Sequence, residues 1–191
     1  MIYLIRHMQS EANVKQIAGG DYPLTEKGIL DAKELAKQID FNPDVLIVSP
    51  LIRAQQTASL LFSEKEFIVD SAFREIHFGD FEGSLMEDNE FLQTYKTRAS
   101  MLHEVSHGDN IKERADKAIV RLLDYLPRGN VAVVCHDMII RSIICRLKGE
   151  DLDNMPKYEP LTTNGCIVKF DLSSLLVFDE ALRSIEQYET H

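Results

Sequence analysis

Apolar and polar positions along this chain alternate between two periods. Ile2-Tyr3-Leu4-Ile5 is a short continuous apolar run, the pattern of a strand buried on both faces. After Thr25, a good helix cap, Ile29, Ala32, Leu35, Ala36 and Ile39 recur at helical spacing. Val45-Leu46-Ile47-Val48 predicts a second buried strand. Ser49-Pro50 then predicts an N-cap with proline at the first helical position, opening a helix with Leu51, Ala54, Ala58 and Leu61 on one face. Phe67–Val69 suits a further strand. Asn110 and Glu113 have capping-box spacing before a helix carrying Ile111, Ala115, Ala118, Leu122 and Leu126 on one stripe. Gly129-Asn130 turns into the buried strand Val131–Cys135, followed by His136 and an apolar helix from Met138 to Leu147. Cys166–Phe170 is a late strand after the turn Asn164-Gly165. Strands alternating with helices predict an α/β fold of three layers, α/β/α, around a mainly parallel sheet.

No linker, repeat or low-complexity stretch divides residues 1–191, so one domain is expected. The least readable part is 83–108, polar and weakly periodic, which suits a lid of short helices. With 45% hydrophobic and 27% charged residues the chain can bury a sizeable core, and the composition excludes collagen, disordered tails and disulfide miniproteins. Thirty-one acidic residues against 21 basic ones give a net charge of −10. Such a surface repels phosphate backbones, so neither nucleic acid nor an anionic membrane is expected as a partner. No apolar run approaches the roughly 18–20 residues of a bilayer span. Arg6 and His7 interrupt the apolar start too early for a secretion signal. The cysteines Cys135, Cys145 and Cys166 are odd in number and form no CxxC pair. They suit core positions in a reducing compartment, which predicts a cytoplasmic location.

Ligands in open α/β sheets bind at the carboxyl ends of the strands. Arg6-His7 ends the first strand here, Arg53 lies in the first turn after the second, and His136 follows the Val131–Cys135 strand. Glu75 follows the Phe67–Val69 segment and can reach the same rim. A lone histidine there is usually structural, and a lone arginine usually a solvated surface charge. Gathering four cationic or near-cationic groups is different. It costs about 4 kcal/mol of repulsion per charged pair at 4 Å with an effective dielectric near 20, so a compensating anion is expected.

The residues at these ends also carry a family pattern. Leu4-Ile5-Arg6-His7-Met8-Gln9-Ser10-Glu11-Ala12-Asn13 resembles the opening of the histidine phosphatase superfamily, in its phosphoglycerate mutase-like branch. The resemblance continues through Asp21–Gly28, Ser49–Ala58, Arg74–Gly83 and Val133–His136, five segments in order over Met1 to about Gly149. It implies a phosphoglycerate mutase-like fold and a phosphatase acting on a small-molecule phosphomonoester, with inorganic phosphate as product and no metal or other cofactor. His7 would be the nucleophile and form a phosphohistidine. Arg6, Arg53 and His136 would hold the phosphoryl oxygens, with Asn13 as a further donor; planar guanidinium forks suit oxyanions well. Glu75 matches the acid/base of that branch. Asp137 is the rival donor, because the acid phosphatase branch has His-Asp where this chain has His136-Asp137 and the mutase-like branch usually has glycine. Met8 is a second departure from glycine; it places a thioether beside the nucleophile that would narrow the pocket or alter the backbone there, a difference expected to bear on substrate specificity. Gly19 and Gly20 lie where family members approach substrate, although a plain turn explains them equally well. Arg141, a helical turn after His136, recurs in the family and can also serve as a salt-bridge partner.

Three rival readings stand beside the phosphatase. Phosphoglycerate mutase-type transfer is one, but the mutases resembled are typically longer between Glu75 and His136. A degenerate member that only binds phosphorylated ligands is another, kept open by Met8 and Asp137. The third is a metallohydrolase with His7, His136 and Glu75 as ligands, which two adjacent arginines and the absence of ligand spacing such as HExxH disfavour.

Overall fold

The computed structural model describes residues 1–86 and 90–171. Positions 87–89 of the expected lid, and His191, lie outside the described residues. In chain order the elements are β1 (Ile2–Arg6), α1 (Glu11–Lys15), α2 (Glu26–Ala36), β2 (Val45–Val48), α3 (Ile52–Leu61) and β3 (Ile68–Val69), then α4 (Glu90–Arg98), α5 (Leu102–Ser106), α6 (Ile111–Tyr125), β4 (Val131–Cys135), α7 (Asp137–Leu147) and β5 (Ile167–Phe170). The strands form one five-stranded sheet in the order β3-β2-β4-β1-β5. All neighbours are parallel except β5, which runs antiparallel to β1 and forms one edge.

Every residue of β2 and β4 is buried, as expected of central parallel strands whose two faces are both covered. Alternate residues feed two separate apolar layers. Ile2, Leu4, Ile47 and Val133 pack with α6 and α7, while Ile5, Leu46, Val48 and Val134 pack with α2 and α3. The sheet is thus the middle of three layers. Each fully buried apolar side chain contributes about 1.5–3 kcal/mol, and the period of two along the strands is what divides them between the faces.

The predicted caps hold at two helices and fail at a third. Thr25 Oγ1 accepts the amide of Gly28 at 3.0 Å, and Asn110 Oδ1 accepts that of Glu113 at 3.2 Å. Ser49 does not cap the third helix. That helix starts at Ile52 with Leu51 at its N-cap, and the Ser49 side chain turns instead toward His136. Within 83–108, residues 83–86 form a turn with a bridge from Leu85 to Ile17, and 90–106 are short helices, α4 and α5 with a 3₁₀ turn between them. Phe91 of α4 packs against Phe78 and Phe81, at ring-centroid distances of 5.1 and 5.5 Å, which ties this segment to the Glu75 loop.

Candidate active site

Strands β2, β4 and β1 are neighbours, with Val48 opposite Val134 and Arg6 opposite Cys135. The residues leaving the sheet at their carboxyl ends, Ser49, His136 and His7, therefore emerge side by side. Backbone bonds hold them there, from Ser49 N to Val134 O at 3.0 Å and from His7 N to Cys135 O at 2.9 Å.

His7 is almost wholly buried, yet it lines the cavity over the sheet end. Its Nδ1 lies 2.7 Å from the carbonyl oxygen of Met8. A carbonyl only accepts, so the ring proton belongs on Nδ1 and the lone pair on Nε2. Arg53 Nε donates to that Nε2 at 3.2 Å. Burial holds the His7 pKa well below its usual 6.5, and the Arg53 and Arg6 charges push it the same way, so the imidazole is neutral at pH 7. The Met8 amide donates to Thr57 Oγ1 at 3.0 Å, and the Thr57 hydroxyl donates to the Arg53 carbonyl at 2.7 Å. Asn164 Nδ2 holds the His7 carbonyl at 2.9 Å.

His136 is fully buried behind the cavity, whose lining does not include it, with its ring centroid 5.1 Å from that of His7. Its Nε2 is 2.6 Å from Ser49 Oγ, which also accepts the Leu51 amide at 3.3 Å. In the tautomer where the serine hydroxyl donates to Nε2, the imidazole proton lies on Nδ1. That Nδ1 is buried with no partner, and so is Nε of Arg6. Buried donors without acceptors are uncommon, and two within one site suit an incoming oxyanion. Burial lowers the His136 pKa well below 6.5, with Arg53, His7 and Arg6 contributing. Arg6 is positioned by its Nη1, which donates to the Thr162 carbonyl at 2.5 Å.

Glu75 reaches the same rim. Its Oε1 accepts the amides of Ile76 at 3.0 Å and Ile139 at 3.3 Å, and its Oε2 accepts that of Met138 at 3.3 Å, at the N-terminus of α7. Burial raises its pKa above 4.5, and the Asp137 carboxylate raises it further; these outweigh the amides and Arg53. Asp137 is placed differently. It begins α7 and is committed to Arg141, with Oδ1 2.8 Å from Nε and Oδ2 2.5 Å from Nη2. Its Oδ2 is also 3.6 Å from Arg6 Nη1.

Asn13 lines the cavity. Its Oδ1 is taken by the Ser10 amide and hydroxyl, both at 3.0 Å, and by Asn164 at 3.2 Å, so its amide nitrogen is the end left for a ligand. Gly19 also lines the cavity. The Gly20 amide is spent on Glu82 Oε1 at 2.7 Å, while the Gly20 carbonyl accepts from Arg53 Nη1 at 2.7 Å. Gly19 has a φ of +66°, and a Cβ there would lie 2.2 Å from Glu82 Oε1, so the close approach requires glycine.

Met8 corrects the expectation of a narrowed pocket. Its side chain is buried in the apolar layer on the α2–α3 face and does not line the cavity. It packs against the turn at Gly165, where a Cβ would come within 2.7 Å of its sulfur. Its φ is not positive, so this backbone does not need the glycine usual in the family. Ser49, Thr57, Thr162 and Asn164 are the site-supporting residues that sequence reasoning missed. Ser49 and Thr57 lie in a segment of the family pattern and Asn164 in a predicted turn, but the pattern gave none of them a role, and Ser49 reads locally as a helix cap; Thr162 carries no signal.

Neutral imidazoles beside one buried and one half-buried guanidinium, with a protonatable carboxyl next to them, suit an oxyanion at the carboxyl end of an α/β sheet. Comparison with known proteins agrees. The chain belongs to the histidine phosphatase superfamily, branch 1, whose family model matches residues 2–175, and it is a phosphoric monoester hydrolase of that family. It is 28% identical over 184 residues to the adenosylcobalamin/alpha-ribazole phosphatase of Escherichia coli, covering 90% of each chain. It is 31% identical over 184 residues to a 2,3-bisphosphoglycerate-dependent phosphoglycerate mutase of Methylobacterium, covering 83% of this chain and 86% of the relative. Among solved structures it superposes on a phosphoserine phosphatase mutant from Entamoeba histolytica in complex with phosphoserine, with a TM-score of 0.75, 28% identity and 87% coverage of both chains.

Proposed function

We propose that the protein hydrolyses the phosphomonoester of a small anionic metabolite through a phosphohistidine on His7, without a metal. The observation that carries this reading is the neutral His7, its Nε2 lone pair facing the Arg53 guanidinium at 3.2 Å. In the first step a bond forms between Nε2 and phosphorus as the ester P–O bond breaks, and protonated Glu75 gives its proton to the leaving alcohol oxygen. Water then attacks phosphorus, loses a proton to Glu75, and displaces Nε2 to release inorganic phosphate. Arg6, Arg53, His136 Nδ1 and the Asn13 amide would carry the charge spread over the equatorial oxygens, a task that needs positioned donors rather than covalent chemistry.

Glu75 is the better proton donor on the same reasoning. It is buried and raised in pKa, whereas both carboxylate oxygens of Asp137 are taken by the Arg141 fork. The reading treats the chain as one domain, located in the cytoplasm, with 83–108 as the specificity segment, supported by Phe91, Leu92, Tyr95 and Lys96 in the cavity wall. A mutase reading has a 31% identical relative behind it and is separated by release of inorganic phosphate without a bisphosphate cofactor.

The test is trapping of an acid-labile, alkali-stable phosphoenzyme by alkaline quench with a ³²P-labelled monoester, with chelator present throughout. Label on the wild type but not on His7→Asn supports the reading. Phosphate release with no trapped label and an active His7→Asn would sink it.

A further inference from the structure

Glu75 stands on the chain that follows β3, and two residues at the N-terminal end of α6 bracket it. Arg114 Nη2 donates to the carbonyl of Arg74 at 2.8 Å and to that of Ser71 at 3.4 Å. Asp109 Oδ2 accepts the His77 amide at 3.0 Å, and the Asp109 amide in turn donates to the His77 carbonyl at 3.0 Å. The backbone is thus gripped at the residue before Glu75 and at the second residue after it. The two grips are one unit, because Arg114 Nε lies 3.3 Å from the same Asp109 Oδ2. Neither residue lines the cavity.

The base on which they stand is fixed. Helix α6 is capped by Asn110 and buries Ile111, Ala115 and Ala118. The Glu75 carboxyl, by contrast, is held loosely from α7. The Met138 and Ile139 amides reach it at 3.3 Å, beyond the usual range of about 2.7–3.2 Å for an N–H···O bond. Its third amide, that of Ile76, belongs to the loop itself. Burial of Phe73 and Ile76 keeps the loop on the core, but apolar packing is non-directional and fixes no peptide plane. The hydrogen bonds at Arg74 and His77 are directional and do. A proton donor must come within about 2.6–3.2 Å of the leaving oxygen, so a loop shift on the order of 1 Å removes the donor while Arg6, Arg53 and His136 stay in place.

Resting on the reading of Glu75 as proton donor, we propose that Asp109 and Arg114 are positioning residues for the reaction: they hold the Glu75 loop at the distance the leaving oxygen requires, through its backbone and without touching substrate.

The experiment compares phenyl phosphate with p-nitrophenyl phosphate, which match in shape and differ in how much the leaving oxygen needs a proton. The ratio of their kcat/KM values reads donor placement, and a general loss of active protein cancels from it. Arg114→Met keeps the stem and removes the donors. It should lower kcat/KM for phenyl phosphate by about tenfold and that for p-nitrophenyl phosphate by far less. Asp109→Ala, which frees the His77 amide, should shift the ratio the same way and serves if the first variant fails to fold. Glu75→Gln should shift the ratio by itself, and adding Arg114→Met to it should move the ratio no further, since no proton remains to be placed. If Glu75→Gln shifts the ratio and neither Arg114→Met nor Asp109→Ala does, or if the shifts add in the double variant, the proposal is overturned and the hydrolase reading stands. If Glu75→Gln leaves the ratio unchanged, the donor assignment falls, and the proposal falls with it.

Discussion

Ser49 Oγ lies 2.6 Å from Nε2 of His136, joining the end of β2 to the end of β4. The serine oxygen takes the Leu51 amide, and where its own hydrogen goes to the imidazole it fixes the ring proton on Nδ1. Ser49→Ala removes that constraint. The expected result is a fall in kcat of about tenfold or more, from a phosphoryl donor presented in the wrong tautomer, with little change in the thermal midpoint. Ser49→Thr, which keeps the hydroxyl, should restore most of the rate in a steady-state phosphate-release assay.

Glu75→Gln keeps the amide contacts at the start of α7 and removes the proton. Turnover of alkyl phosphates should fall by about 10²–10⁴-fold, while p-nitrophenyl phosphate, whose leaving group needs little protonation, should lose far less. The diagnostic quantity is the slope of log kcat/KM against leaving-group pKa, which should steepen in the variant. If Asp137→Asn steepens it instead, the donor has been misassigned.

The pH profile follows from the same two groups. His7 must be neutral to attack, and burial beside Arg53 and Arg6 depresses its pKa, so the acid limb attributable to it falls well below pH 6.5. Glu75 must be protonated, and its raised pKa extends the active range upward from 4.5 before activity declines as it ionises. The alkaline limb should be absent in Glu75→Gln assayed with p-nitrophenyl phosphate.

Stability should depend on pH through the buried imidazoles. Both His7 and His136 have folded pKa values below the unfolded 6.5, so between the two the unfolded chain binds more protons and stability rises with pH. Their contribution is present above pH 6.5 and is lost as pH falls below it. The slope is at most about 1.4 kcal/mol per pH unit for each histidine while it stays neutral in the fold. Urea unfolding at pH 7.5 and 5.5 should show the loss, and His136→Asn should reduce it.

Met8→Gly tests the packing of the thioether. Removing a buried side chain from the layer under α2 and α3 should cost about 2–5 kcal/mol in chemical unfolding. Because that side chain does not line the cavity, KM for a given monoester should change by less than about twofold.

Most strands and the longer helices were legible in the sequence, which also pointed to the strand ends as the place for the chemistry. Runs such as Ile2–Ile5 and Val45–Val48 are apolar at every position, which only a strand covered on both faces tolerates, and the helical stripes between them require layers on each side. Arg6, His7, Arg53 and His136 stand next to those runs in the chain, so their arrival at one end of the sheet followed from the parallel rule. Tertiary structure alone decided which strands are neighbours, and thus that Ser49 meets His136 across 87 positions of chain rather than capping the helix beside it. It also decided that Met8 turns into the core and that Asp137 closes on Arg141. A side chain with two local options is assigned by what distant segments place against it, and that contact is absent from any window of sequence. Hydrophobic period is a local property of the chain, while pairing, burial and proton position depend on packing between segments far apart in it.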